Sequence, residues 1–231
     1  IYRQSVLKWA FEGRLTNSIV KEGELPQGWK LTKLENMAVK ITDGEHFRPK
    51  TQEDGIPFLS AKDVLDTGVS FESPLYISEK TAKKAMQRCN PSKGDILIVS
   101  RGATVGRMCI VDTDKVFCLL GSVILIKVHK KIESKLLRYF LSSPAINQLL
   151  ISISGSTAQQ AIYLRDIKNL DIPLPPLDRQ QIIISEIESR LSICDELEQN
   201  INQGLQQAEA LRQSILKKAF EGKLVPYEPK D

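Results

Sequence analysis

The C-terminal part of the chain carries its clearest hydrophobic pattern, an apolar stripe that recurs every three or four residues over Ile184–Ala219. Over Ile187–Ile215 the mean spacing is 3.5 residues, the period of a coiled coil. The proline-rich segment Ile172–Leu177 precedes the stripe, and Asp178 after it is a favourable N-cap. The pattern predicts a helix of about 66 Å over residues 178–221. The predicted helix–helix contact positions are Ile187, Leu191, Cys194, Leu197, Ile201, Leu205, Ala208, Leu211 and Ile215.

A helix of this length with one apolar stripe is unstable alone in water and needs a second helix. One candidate is visible, because the thirteen residues Arg3–Leu15 recur 209 residues later as Arg212–Leu224, with ten positions identical. Such self-similarity indicates a duplicated unit, and we expect the chain to open on the tail of the preceding copy. Both copies are typical of a helix end that stops at Gly13 or Gly222. The N-terminal copy is long enough to cover one end of the long helix, and the rest is expected to meet another chain.

Between the ends, shorter patterns of both periods predict a mixed domain of strands and helices. The predicted strands are Gly94–Ser100, Met108–Asp112 and Val116–Val128, the helices Glu79–Arg88 and Glu133–Leu150 (broken near Pro144), and the loops Thr42–Gly55 and Ser152–Gln160. We therefore expect an α+β fold, a mixed α/β domain followed by a long coiled-coil-forming α-helix. The predicted units are a helix end at 1–15, the mixed domain at 16–177, the long helix at 178–224 and a tail at 225–231.

The composition of the 231 residues is that of an ordinary globular protein, with 42% hydrophobic and 26% charged residues. No apolar run approaches a membrane span, and the first residues lack the basic start of a signal peptide, so we expect a cytoplasmic protein. The four cysteines, Cys89, Cys109, Cys118 and Cys194, form no C-x-x-C pair. We interpret them as buried reduced thiols and predict no metal site.

Charge is unevenly distributed along the chain. The formal net charge is +4, yet Glu79–Arg107 holds seven basic residues against two acidic ones. Residues 178–223 hold six basic and eight acidic residues. The basic excess therefore belongs to the mixed domain, which suits contact with a polyanion. A solvated face neutralised by counter-ions is the alternative, and charge alone does not decide between the two.

The sequence contains no convincing set of catalytic residues. The sequence has no P-loop, no glycine-rich cofactor loop after a strand, and no Asn/Asp-Pro-Pro-aromatic motif of the amino-methyltransferases. Glu221 and Lys223 form an E-x-K pattern that a metal nuclease uses, but its twin at Glu12–Arg14 indicates structural repetition. His46 has no matched nucleophile or carboxylate nearby in the sequence, so contact with a phosphate or a base is the better interpretation.

Three polar loops are better candidates for binding, at Thr42–Lys50, Ser100–Arg107 and Gly155–Gln160. Arginine reads guanine bidentately, glutamine reads adenine, Asp accepts from cytosine, and backbone amides and lysines suit phosphate. Each loop by itself is more simply explained as a solvated turn, but three in one domain beside the basic stretch favour DNA contact. The candidate DNA-binding residues are Thr42, Asp43, His46, Arg48, Lys50, Lys62, Ser100, Arg101, Thr104, Arg107, Ser156, Thr157, Gln159 and Gln160.

Several segments together resemble a known family. Leu25-Pro26-Gln27-Gly28-Trp29 is similar to the opening of its recognition domain, and Asp43-Gly44-Glu45-His46 followed by Gly55-Ile56-Pro57-Phe58-Leu59 is similar to its early pattern. The other matching segments are Lys93–Leu97, Ser100–Gly106, Gly155–Thr157, Ile172–Leu177 and the repeated Phe-Glu-Gly-Lys/Arg-Leu helix end. Over nearly its whole length, the chain resembles the specificity (S) subunit of type I DNA restriction–modification enzymes.

The resemblance implies a role without catalysis. Members of this family carry two target-recognition domains, each followed by a conserved helix, and the two helices pair antiparallel as a ruler between the halves of a split DNA target. The subunit positions modification subunits that methylate adenine and restriction subunits that use ATP. No cofactor is therefore expected in this chain, since S-adenosylmethionine, ATP and Mg²⁺ belong to the partner subunits. The expected partners are double-stranded DNA and both kinds of subunit.

The chain departs from the family pattern in size, because it holds one recognition domain and one whole helix. A truncated second half and a natural half-subunit both explain this. Either way the uncovered stripe predicts association, and a homodimer would read a palindromic split site. Two other functions stay open: a self-contained DNA methyltransferase or nuclease fragment, and a coiled-coil adaptor without a DNA role.

Overall fold

The computed structural model describes residues 2–17, 19–21, 23–153 and 161–224. Helices α1–α6 span Tyr2–Phe11, Glu79–Arg88, Ser134–Leu141, Pro144–Ile153, Leu164–Lys168 and Leu177–Phe220. Strands β1–β11 span Lys30–Lys33, Ala38–Asp43, Ile56–Leu59, Val64–Leu65, Gly68–Val69, Leu75–Ile77, Ile96–Val99, Met108–Ile110, Cys118–Leu119, Val123–Val128 and Asp171–Leu174. The expected architecture, a mixed α/β domain followed by a long helix, is confirmed. None of the described helices is long and apolar enough to cross a membrane.

A four-stranded antiparallel sheet in the order β2-β10-β7-β8 forms the centre of the mixed domain. Successive residues of a strand face opposite sides of the sheet. In β10, Ile124 and Ile126 join the larger core, whereas Val123 and Leu125 join a second core on the other face. Because both faces are covered, β7 and the first part of β10 read as continuous apolar runs in the sequence.

A three-stranded sheet, β6-β3-β9, carries helix α2. Strand β3 pairs antiparallel with β6 and parallel with β9. Leu59 and Leu119 extend from this sheet into the second core, so the two sheets share it. A small third core fills the space under α2, and its members are Phe58, Ile77, Ala82, Ala85 and Cys118.

The first half of α6 is built into the mixed domain. Gln180 is fully buried; its amide nitrogen donates to the carbonyls of Lys131 and Pro175 at 2.9 and 3.2 Å, and its oxygen accepts from the Glu133 N–H at 2.8 Å. The apolar residues that follow it in the larger core are Ile183, Ile184 and Ile187. From residue 195 to the end of the helix every residue is exposed.

Helix α1 packs on the same half of α6 and runs antiparallel to it. At its start, Arg3 binds the carboxylates of Asp195 and Glu198 at 2.5 and 2.9 Å. Just beyond its end, Gly13 lines a cavity together with Arg179, at the start of α6. The expectation that the N-terminal copy covers one end of the long helix is therefore confirmed.

Both copies of the repeat end their helix at a glycine with left-handed backbone geometry. Gly13 has φ +75° and Gly222 has φ +69°. A Cβ at Gly13 would lie 2.0 Å from the Pro26 side chain, so that position needs glycine for close approach as well as for conformation. The helix stops expected from the sequence are confirmed.

Two sequence-based assignments around Asp178 and Thr42 are wrong in detail. Helix α6 begins at Leu177 with Pro176 at the cap position and no side-chain cap, so Asp178 lies in the first turn instead. Its carboxylate there still complements the helix dipole. The segment Thr42–Gly55 is irregular only in part, because Thr42 and Asp43 complete β2.

Two other predicted elements are each divided in two in the structure. The predicted strand Val116–Val128 is two strands, β9 and β10, and the predicted helix Glu133–Leu150 is two helices broken before Pro144, as its sequence indicated. Seven of the described strands (β1–β6 and β11) are not predicted from the sequence, because strands of two to six residues with mixed polarity carry little periodic signal. The proposed division into four units stays a prediction.

Candidate nucleic-acid interface

The first two polar loops leave the four-stranded sheet at one end. Strand β10 pairs its Ile124 with Asp43 of β2 and with Ile98 of β7, so β2 and β7 finish where β10 starts. The first loop follows Asp43 and the second begins at Ser100. The chain returns to the same end after the third loop, because the Ile162 N–H donates to the Ser100 carbonyl at 2.9 Å. The fold thus brings distant parts of the sequence together.

The segment that follows the third loop lies beside the second loop. Ala161 forms an isolated antiparallel bridge with Arg101. The four candidate residues of the third loop, Ser156, Thr157, Gln159 and Gln160, lie outside the described residues.

A cavity of about 340 Å³ opens at this end of the sheet. Its described lining includes the apolar side chain of Ile162 and three basic residues, Arg88, Arg101 and Arg165. Asp43 is the one carboxylate among its lining residues. The Nε atom of Arg165 lies 3.5 Å from the carboxylate of its neighbour Asp166, and the Arg165 side chain is largely exposed. The excess of positive charge suits a phosphate or the acceptor edge of a base.

The first loop is fastened to the turn between β9 and β10. The Glu45 N–H donates to the Leu119 carbonyl at 2.8 Å, and the Gly121 N–H donates to the Glu45 carbonyl at 2.7 Å. A Cβ at Gly44 would lie 2.1 Å from the Leu119 carbonyl oxygen, so only glycine allows this approach. These contacts fix the backbone at Glu45 and therefore the position from which the side chain of the following residue, His46, extends.

Asp43, His46 and Arg88 form one hydrogen-bonded cluster at the cavity. The Arg88 guanidinium binds the Asp43 carboxylate, and its Nε donates to the Asp43 carbonyl at 3.3 Å. Its Nη2 also lies 2.8 Å from His46 Nε2. The sequence does not indicate that Arg88 belongs to this site, because its partners lie more than forty residues away and nothing local shows which loop it contacts.

The rest of the first loop faces solvent. Phe47 is 87% exposed, and Arg48 and Lys50 are exposed beside it. Thr42 is buried instead, with its hydroxyl 3.4 Å from the Asp43 carbonyl. Of the five candidates in this loop, the structure brings Asp43 and His46 to the cavity, turns the two cations outward and places Thr42 inside.

The second loop is a tight turn between β7 and β8. The Gly106 N–H donates to the Val99 carbonyl at 2.9 Å, and the Arg107 N–H donates to the Thr104 carbonyl at 3.0 Å. Ser100 is buried against the sheet. In the part of the chain that the structure describes, the guanidinium groups of Arg101 and Arg107 have no ion-pair partner, so an external anion can reach them.

Lys62 has a different environment from the other candidates. Its ammonium donates to the Asp63 carboxylate at 2.8 Å and to the Ser73 carbonyl at 2.7 Å. Asp63 is itself buried and accepts from the Ser60 N–H. Through these hydrogen bonds, Lys62 stabilises the segment before β4.

The predicted stripe of α6 divides into a covered and an uncovered part. Ile187 and Cys194 are buried and Leu191 is half-buried, on the stretch that carries α1. Beyond them the stripe is open to solvent, with exposed fractions from 44% at Ile215 to 63% at Leu205. The uncovered members are Leu197, Ile201, Leu205, Ala208, Leu211 and Ile215.

All four cysteines are buried free thiols, as expected. Burial raises the pKa of Cys89 and of Cys109 to about 12, and that of Cys118 to about 11, so these thiols stay protonated. Among the described residues, no group of three or more His, Cys, Asp or Glu side chains is arranged to hold a metal ion.

Residues 26–207 match the family model described as the type I restriction modification DNA specificity domain. The type I restriction enzyme EcoBI specificity subunit of Escherichia coli is 31% identical over 243 aligned positions, which cover 96% of this chain and 50% of that protein. The chain spans about half the length of the curated relatives it matches.

Two solved structures share the fold. One, from work on complex assembly and conformational transition of the type I R-M system, has a TM-score of 0.70 at 23% identity, covering 96% of this chain and 53% of that one. The crystal structure of the HsdS subunit from Thermoanaerobacter tengcongensis has a TM-score of 0.65 at 23% identity, covering 96% and 52%.

Proposed function

Because the chain belongs to the family of type I restriction modification DNA specificity domains, we propose that it reads DNA sequence for such a system. The mixed domain recognises one half of a bipartite target, and α6 sets the distance to a second reading head. One observation supports this proposal: the first two polar loops leave one end of the sheet at a cavity lined by Arg88, Arg101 and Arg165. A coiled-coil adaptor would need α6 alone and leaves this basic end without a role.

Salt-dependent DNA binding tests the proposal. We expect the affinity of the chain for a pool of randomised duplexes to fall linearly on a log–log plot against salt, by about 0.9 per phosphate contact. Replacing both Arg101 and Arg107 with alanine should flatten the slope by up to about two, if each meets a phosphate. Replacing both Lys130 and Lys131 with alanine removes the same charge at the opposite end of β10, where both are exposed, and should leave the slope unchanged. Negligible binding at low salt would favour the adaptor.

The proposed role needs no catalytic site in this chain. S-adenosylmethionine, ATP and Mg²⁺ would be held by modification and restriction subunits, which the chain would position on DNA. Incubating the purified chain with duplex DNA and labelled S-adenosylmethionine checks this, with no methyl transfer expected until a modification subunit is added. Transfer by the chain alone would instead support a self-contained methyltransferase.

The proposed partner of the uncovered stripe is a second α6, from another copy of the chain, in antiparallel orientation. The contact of Arg3 with Asp195 and Glu198 supports one register for the proposed pair, since Arg212 is the repeat counterpart of Arg3. The midpoint between residue 212 and residues 195–198 falls at Gly204. In such a pair, the Arg212 segment of the partner takes the place that α1 occupies here, so the two compete.

Gly204 suits the centre of that pair. It lies seven residues from both Leu197 and Leu211, on the same side of the stripe, and a Cβ there meets no atom within 4 Å. A glycine inside a helix costs about 1 kcal/mol relative to alanine, and close approach of two helices would offset that. Oxidation of Gly204→Cys should give a disulfide-linked dimer, whereas Gln206→Cys on the outer face should not. Equal linkage at both positions would contradict the register.

A further inference from the structure

Arg88 joins the first loop to the helix behind it. It is the last residue of α2, and its guanidinium reaches both the Asp43 carboxylate and His46 Nε2. The Asp43 side chain is 12% exposed, whereas the side chains of Arg88 and His46 are 44% and 48% exposed. Asp43 is thus the inner anchor of the cluster, and His46 is its outer member.

The direction of the Arg88–His46 hydrogen bond follows from the chemistry of the two groups. A guanidinium can only donate, so a bond of 2.8 Å requires Nε2 of His46 to accept. The Asp43 carboxylate lies farther from the same nitrogen, at 3.5 Å, which is too long for a good hydrogen bond. An imidazole that accepts at Nε2 carries its proton on Nδ1. Among the described residues, none accepts from that Nδ1.

From this geometry we propose that Arg88 is a positioning residue, which holds His46 as the Nδ1–H tautomer and so presents a hydrogen-bond donor to an acceptor on a DNA base edge. In the major groove such acceptors are purine N7, guanine O6 and thymine O4. The base-reading step rests on the proposed function of the chain. Asp43, which the sequence also suggests as a DNA-binding residue, takes a different role, since its carboxylate is engaged by Arg88.

The second histidine of the chain provides an internal reference for the tautomer. His129 Nδ1 accepts from the Lys131 backbone N–H at 3.2 Å, so its proton lies on Nε2. The two histidines are therefore expected to show opposite tautomers in one molecule. A substitution that disturbs the whole fold would affect both, whereas loss of Arg88 should affect His46 alone.

The first measurement is a long-range ¹H–¹⁵N correlation spectrum of the free chain at about pH 8, where ordinary histidines are neutral. We expect the Nδ1–H pattern for His46 and the Nε2–H pattern for His129, with His129→Asn identifying the signals. Arg88→Ala should remove the Nδ1–H preference of His46 and leave His129 unchanged. An Nε2–H pattern for His46 in the wild type, or no change on Arg88→Ala, would overturn the assignment.

The second measurement concerns the DNA. The wild-type chain selects sequences from the randomised duplex pool, and variants are compared on the selected site and on its single-base-pair substitutions. Asparagine places an amide N–H where Nδ1 was, and glutamine places one where Nε2 was. His46→Asn should keep the preference at one base pair, whereas His46→Gln, His46→Ala and Arg88→Ala should each lose about tenfold discrimination there and none elsewhere.

The outcomes separate this inference from the proposed function. Glutamine that preserves the preference while asparagine loses it would overturn the Nδ1 contact, even though the chain still reads DNA. Equal discrimination in all His46 variants would remove His46 from base reading altogether. If the wild type selects no sequence, the proposed function fails and the reading step fails with it, while the spectra still decide whether Arg88 fixes the tautomer.

Discussion

Two segments with almost the same sequence occupy opposite environments in this molecule. Arg3–Leu15 and Arg212–Leu224 share ten of thirteen residues, and both form a helix end that stops at a left-handed glycine. Val6 is completely buried, whereas its counterpart Ile215 is 44% exposed. Phe220 is 90% exposed, although its counterpart in α1 packs against α3.

The difference separates what a local sequence determines from what its surroundings determine. The spacing of apolar residues and the terminal glycine are sufficient to define the helix and its end, because these depend on backbone geometry and on neighbours within a turn. Burial depends on which surface is opposite. At Val6 that surface is the core of the mixed domain, and at Ile215 the described part of the chain provides none.

The largest expected effect comes from placing a charge at the first apolar position of each copy. Val6→Asp buries a carboxylate without a partner, and we expect it to lower the free energy of unfolding by at least about 3 kcal/mol. Ile215→Asp at a concentration where the chain is monomeric should change it by less than about 0.5 kcal/mol. Urea titration of both variants measures this, and similar losses would show that the end of α6 is also packed.

The terminal glycines give the next contrast. Alanine at either Gly13 or Gly222 forces a Cβ into the left-handed region, at a cost of about 1–2 kcal/mol. At Gly13 the added Cβ also collides with Pro26, whereas nothing lies within 4 Å at Gly222. We expect Gly13→Ala to be more destabilising by a further 1–3 kcal/mol or so, measured by thermal or urea unfolding. Equal effects would mean that Pro26 moves aside freely.

The parts predicted from sequence share one property, which is that their signals are local or repeated. The stripe of α6, the bounds of α2 and both glycine stops depend on residues within a few turns of one another. The parallel pairing of β3 with β9 joins residues about sixty positions apart, Phe58 and Cys118, through strands of four and two residues. No period is detectable over two residues, so the sequence does not indicate that pairing.

The candidate site divides in the same way. Composition is sufficient to predict the polar loops, because glycine and polar residues cluster within each of them. Composition does not predict that the first two loops meet at one end of the sheet, since this depends on the register that aligns Asp43 with Ile124. The position of Arg88 depends on tertiary packing in the same sense: α2 must lie on β9 before its last residue can reach Asp43.

The phenylalanines of the two copies, Phe11 and Phe220, test the same comparison of buried and exposed copies with a smaller change. Phe11 packs edge-on against Phe140 with 5.2 Å between the ring centroids. Phe11→Ala should cost about 2 kcal/mol of unfolding free energy through lost burial and ring contact. Phe220→Ala should leave that free energy unchanged and weaken the proposed dimer of α6 helices, measured by sedimentation. A loss of stability from Phe220→Ala in the monomer would contradict the exposed placement.

The smallest expected effect concerns the ion pairs that hold the start of α1. Arg3 and its partners Asp195 and Glu198 are all partly or largely exposed, so solvent and salt weaken their attraction. Arg3→Ala should therefore leave the fold intact and release α1 slightly more often. Cys194, buried beside these contacts, reports that release through its rate of reaction with a thiol reagent.

We expect Arg3→Ala to raise the labelling rate of Cys194 by less than about fivefold, and the difference from wild type to shrink in high salt. Burial holds the thiol pKa of Cys89 and Cys109 near 12 and that of Cys118 near 11, so these three should stay unreactive at neutral pH and leave one labelled site. Arg212→Ala, the same change in the exposed copy, is the control, and at a concentration where the chain is monomeric it should not alter the rate. A larger acceleration from Arg212→Ala than from Arg3→Ala would mean that the Arg212 segment of a second copy, and not α1, covers Cys194 in solution.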